Sequence, residues 1–181
     1  MIKNRVLFFT LALIASGSLA CSSGGGAGRS QSETTALQKY VQEALPKLDA
    51  LEALHKDMMQ QIGKSLRPGA NKGYQYDENK VADQIARTRG GLESMQKDFR
   101  AMTIPKSGES FAGNIMQLIQ NEQIFVDKVE SRFKSETREI SEGAWSELTA
   151  NAGMTPYQKN LLVGAMTKVA GLTQNSNAGG K

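Results

Sequence analysis

His55 is the only histidine in the chain, and Glu52 stands three residues before it. Glu-x-x-His places both side chains on one helical face and is the spacing used by di-metal helix bundles. Such a centre needs a second pair and further carboxylates, and no second histidine exists to build one. Met58 and Met59 follow within about one turn, a neighbourhood suited to a soft metal such as Cu(I). Methionine is also an adaptable core filler, and His55 sits on an apolar seam, so the expected role of both types is packing. Acyl-transfer or hydrolytic chemistry needs a nucleophile, a base and an orienting group. The single seam histidine gives no such set. No metal ligand, cofactor site or catalytic residue is assigned, and the chain reads as a non-enzyme.

The first residues explain more. Lys3 and Arg5 precede an apolar run, Val6 to Ala15, and then the small residues Ser16 to Ala20. This is the layout of a signal peptide, since a membrane span needs about 20 apolar residues. It ends at Cys21, the only cysteine. Ser18-Leu19-Ala20-Cys21 resembles the lipobox of bacterial lipoproteins, which ends in a small residue and an obligatory cysteine. Leucine stands one place later here than is usual. The resemblance covers residues 1–21. It implies a lipid anchor on Cys21, in a bacterial cell envelope. With Ser22 rather than aspartate next, it favours the outer membrane in a Gram-negative host. Ser18-x-Ala20 also fits an ordinary signal-peptidase site, which would leave Cys21 a free thiol.

Composition narrows the partners. Lys+Arg total 22 and Asp+Glu 18, and without Lys3 and Arg5 the excess falls from +4 to about +2. That balance, in an exported chain, argues against nucleic acid. A lone cysteine excludes an intrachain disulfide.

The elements that position these residues read as helices. Residues 1–20 are the signal peptide, 21–32 a lipidated cysteine and Gly/Ser-rich tether, 33–173 the folded domain and 174–181 a polar tail. Ser30-x-x-Glu33 has capping-box spacing. The first seam is Leu37, Val41, Ala44, Leu48, Leu51, His55, Met58, Ile62, with alternating steps of four and three. Pro46 predicts a bend within one helix that reaches about Leu66. A loop, Pro68 to Tyr76, carries Tyr74 and Tyr76, either as a small recognition surface or folded back on the bundle end.

Asp77 predicts the next N-cap, and the second seam is Val81, Ile85, Thr88, Leu92, Met95, Phe99, Met102. Gly90-Gly91 inside it reads as a tolerated weak turn, with a hinge or close helix crossing as the alternative. Pro105 closes this helix. A long third helix is expected from Glu109 to Ala150 with two stripes. One is Phe111, Ile115, Leu118, Phe125 and Val129, with Glu122 in phase. The other is Ala112, Ile119, Val126, Phe133, Ile140, Ala144 and Leu148. The charged residues Lys128, Arg132, Lys134 and Arg138 alternate with Glu130, Glu136 and Glu139, as on a solvated face. Gly153 predicts a left-handed cap, Thr155-Pro156 a helix start, and Leu162, Ala165, Val169 and Leu172 the buried side of a fourth helix.

The expected fold is all-α: an elongated antiparallel four-helix bundle. The expected function is a membrane-anchored, non-enzymatic envelope lipoprotein whose bundle binds or stabilises another envelope protein, or a second copy of itself. The alternative is a carrier of a small ligand or metal in the interior near His55.

Overall fold

The computed structural model describes residues 30–69 and 72–172. The signal layout, Cys21, most of the tether and the polar tail lie outside the described residues. Among the described residues the architecture is all-α, with one small sheet. Five α-helices run in order: α1, Gln31–Ser65; α2, Glu78–Arg100; α3, Glu109–Arg132; α4, Glu142–Ala152; and α5, Met154–Ala170. A 3₁₀ turn, Lys106–Gly108, links α2 to α3. Helix α1 packs on α2 and α5, and α3 packs on the same two, so α1, α2, α3 and α5 form a ring. Cross-links show that α1 runs antiparallel to its neighbours. Lys47 meets Asp98 while Asp57 meets Gln84, and Gln38 meets Ala170 while Asp49 meets Lys159.

Ser30 Oγ accepts from the Glu33 N–H, and Asp77 caps α2 through the Lys80 N–H, as their types demand. All eight positions of the first seam are buried. Helix α1 continues through Pro46 for 35 residues, about 52 Å at 1.5 Å per residue. In α2, Val81, Ile85, Thr88, Leu92 and Phe99 are buried. Helix α2 ends at Arg100, so Met102 lies beyond it.

The diglycine is a close crossing at one of its two positions. A Cβ on Gly91 would stand 2.7 Å from Leu54 Cδ2, whereas one on Gly90 meets nothing within 4 Å. Gly90→Ala is therefore expected to stabilise the protein by about 0.5–1 kcal/mol through helix propensity. In Gly91→Ala a forced move of Leu54 offsets that gain. Paired urea melts check this, and equal stabilisation by the two substitutions would rule out the crossing.

The expected long third helix is broken. Helix α3 stops at Arg132, and β3, Glu139–Ser141, separates it from α4. Ser135 Oγ accepts from the Thr137 N–H, Arg138 takes a positive φ of 52°, and Ser141 Oγ caps α4 through the Ala144 N–H. Short hydroxyl side chains here compete for the backbone that a helix would use. Strand β3 pairs antiparallel with β2, Gly73–Gln75, which pairs antiparallel with β1, Arg67–Pro68.

This sheet, unforeseen in the sequence, closes one end of the bundle. Tyr76 folds inward, its hydroxyl donating to Phe133 O and accepting from the Ser135 N–H at 3.2 Å. Its ring meets Phe133 edge-on at 4.9 Å, and Phe133 meets Trp145 at 6.3 Å. The tyrosine loop is thus an end cap at Tyr76, with Tyr74 half-buried beside it.

Helix α5 also departs from expectation. Gly153 is right-handed (φ −68°), and the left-handed cap is Gly171 (φ 67°). Thr155 lies inside the first turn rather than capping it. The buried face is Thr155, Lys159, Met166, Thr167 and Ala170, while Ala165 and Val169 are exposed and Leu162 and Leu172 half-buried.

Candidate functional site

Two features stand out: a buried polar cluster between α1, α3 and α5, and an open groove between α1 and α2. The cluster is built on seam positions. His55 faces inward because it occupies the sixth seam place of α1, and Glu122 because it continues the first stripe of α3. His55 is 2% exposed and Glu122 0%. His55 Nδ1 lies 2.7 Å from Glu122 Oε1, and the Thr155 hydroxyl donates to Glu122 Oε2 at 2.7 Å. With Glu122 ionised, Nδ1 is the donor. The imidazole also tilts against Phe125, ring centres 5.2 Å apart. A carboxyl group taken this far from water stands only because both of its oxygens have polar partners.

One turn along α5, Lys159 Nζ donates to Asp49 Oδ1 at 2.6 Å and to Glu52 Oε2 at 2.7 Å. The second oxygen of Glu52 meets Lys56 at 2.5 Å. Both oxygens of Glu52 are therefore taken by lysines, and the Glu52–His55 spacing does not form a ligand pair. Among the described residues no group of three His, Cys, Asp or Glu could hold a metal ion. Met58 is fully buried core and Met59 packs against that core. His55, Glu52 and the phase of Glu122 are legible in the sequence, but their partners are not. Two polar residues on the seams of different helices were the available signal.

Burial pulls the Lys159 ammonium down, but its hydrogen bonds to Asp49 and Glu52 outweigh that and hold it above the usual lysine value. The hydrogen bonds from Lys159 and Lys56 hold Glu52 below the usual carboxylate value. The signs follow from linkage. The Glu52 contribution is present above its ordinary 4.5 and is lost as pH falls through the lower folded value. The Lys159 contribution is present below 10.5 and is lost as pH rises through the higher folded value. Lys159→Met should flatten the alkaline limb of a stability profile and keep only the Lys56-supported part of the acid limb. Urea midpoints across pH check it, and unchanged limbs would refute the assignment.

The basic residues of α3 and the segment after it are spoken for. Lys128 and Arg132 meet Glu147 of α4 at 2.8 and 2.9 Å, Lys134 meets Glu130 at 3.2 Å, and Arg138 meets Glu78 at 3.3 Å. Arg89 of α2 binds Asp127 and Glu130, each at 2.6 Å. These exposed pairs are a solvated ionic face joining neighbouring elements, each of small energetic weight.

The groove lies along the first half of α1, where α2 has stopped at Arg100. It has a volume of about 1030 Å³ and is lined by Tyr40, Pro46 and Lys47 of α1, Asp98 of α2, and Met102 and Pro105 of the following segment. Lys47 and Asp98 approach to 3.8 Å across it. Its walls mix apolar surface with both charge signs.

No protein-family model, curated protein or solved structure matches the chain. No helix among the described residues is long and apolar enough to cross a membrane.

Proposed function

We propose that this chain is a lipid-anchored, non-enzymatic envelope lipoprotein whose bundle binds or stabilises another envelope protein. The observation that carries the reading is the signal layout ending at Cys21, nine residues ahead of Ser30, where α1 is capped. A lipid on Cys21 would hold the domain at a bilayer, with two or three acyl chains sufficient for stable anchoring. The mixed groove between α1 and α2 supports a protein partner, because it offers apolar surface flanked by Lys47 and Asp98 for register. A photo-crosslinker at Lys39 or Thr103, both on the groove wall, should capture one envelope protein in cells, and Cys21→Ser should move the chain out of the membrane fraction. Only self-crosslinks would point to a homo-oligomer, and no crosslink at either position would remove the groove from the reading.

A further inference from the structure

Helix α5 carries part of its apolar surface on the outside. Its inward face is pinned by polar groups, Thr155 to Glu122 and Lys159 to Asp49 and Glu52. That orientation leaves Met154 49%, Tyr157 59% and Leu161 50% exposed. The three fall on one stripe with Ala165, which is also exposed. On α3, Ile124 is 59% exposed, one turn from Asn121, whose amide donates to Gln158 beside Tyr157. Helix α5 contains no Asp or Glu, and its one exposed cation, Lys168, is in its last turn.

The position of this face relative to the chain's N-terminal side places it within reach of a tethered bilayer. The Gln38 amide donates to Ala170 O, so the last turn of α5 lies beside the first turns of α1. Ser30 stands nine residue steps after Cys21, a span of at most about 32 Å at 3.6 Å per step. A lipid on Cys21 would therefore keep the start of α1 within that reach of a bilayer, with the last turn of α5 beside Gln38, about 12 Å further along α1.

We propose that the outward face of α5, Met154, Tyr157, Leu161 and Ala165, rests on the lipid bilayer surface; the reach of the tether rests on the lipoprotein reading. Tyrosine and aliphatic residues on an acid-free helix suit the headgroup boundary, where an amphipathic ring is stable and no carboxylate meets anionic lipid. Because α5 packs on α1 and α3 and not across the ring on α2, a bundle lying on α5 turns the α1–α2 groove away from the membrane.

The test uses the chain from Cys21 onward, coupled by its only thiol to a maleimide lipid in vesicles of phosphatidylethanolamine and phosphatidylglycerol. Tryptophan is placed at Leu161, at Met154 or, on the groove side, at Thr103. After subtraction of the Trp145 emission of the parent, acyl-chain bromination should lower the emission added by Leu161→Trp and Met154→Trp by about twofold, as expected for rings seated roughly 5–10 Å into the boundary. Thr103→Trp and the parent, whose only tryptophan is Trp145, should not be quenched. No quenching at either α5 position, or equal quenching at Thr103, overturns the proposal and leaves α5 for a protein partner or a second copy. This coupling is chemical, so its result does not depend on natural acylation. Mass spectrometry of the envelope-extracted protein tests that separately, and an unacylated Cys21 removes the lipoprotein reading and the tether with it.

Discussion

Glu122→Leu is expected to lower the stability by about 2–4 kcal/mol, because it leaves two buried polar groups unsatisfied at roughly 1–3 kcal/mol each. The substitution leaves His55, 2% exposed, without the acceptor 2.7 Å from its Nδ1, and leaves the Thr155 hydroxyl without its own. Leucine satisfies neither group, and neither side chain reaches water without repacking α1 against α3. A loss of that size is a large share of the roughly 5–15 kcal/mol that holds a typical domain. The triple replacement His55→Leu, Glu122→Leu, Thr155→Val removes all three polar groups together and should recover most of the loss. Urea unfolding of the single and triple variants decides the matter. If the single variant is neutral, the cluster does not hold the three helices in the way described.

Phe133→Ala should be comparably severe, about 3–5 kcal/mol for a large buried ring removed from a core. Phe133 is 5% exposed and lies between Tyr76 and Trp145. Its removal takes away the apolar contact that seats the three-stranded sheet on the bundle end. The effect has a local signature, because Trp145 is the only tryptophan. Its emission should shift to the red in the native baseline of the variant, before global unfolding. A full-sized stability loss with an unchanged native emission spectrum would show that Phe133 acts on the core alone and not on the end cap.

The first seam was legible in full because an unbroken alternation of three and four over α1 has one structural meaning, and His55 shares it. The break after α3 was hidden because Phe133, Ile140 and Leu148 are all buried, so the apolar spacing runs on while the backbone leaves the helix. The informative residues there are polar: Ser135, Thr137 and Ser141, each able to bond locally to backbone. The face of α5 could not be read from α5 alone. Thr155 and Lys159 are inward-facing only because Glu122, Asp49 and Glu52 on other helices receive them. The close crossing at Gly91 depends in the same way on Leu54, a residue of another helix.

Those pins bear on how α5 finds its register. An apolar helix face slides and rotates over a core at modest cost, since surface uncovered in one place is covered again in another. A shift of α5 by one residue rotates it by about 100° and breaks the bonds to Glu122, Asp49 and Glu52 together, with nothing nearby to replace them. The address of α5 is therefore written in its partners rather than in the Gly153 connection to α4. Extra residues inserted at Gly153 should lengthen that connection and leave α5 where it is.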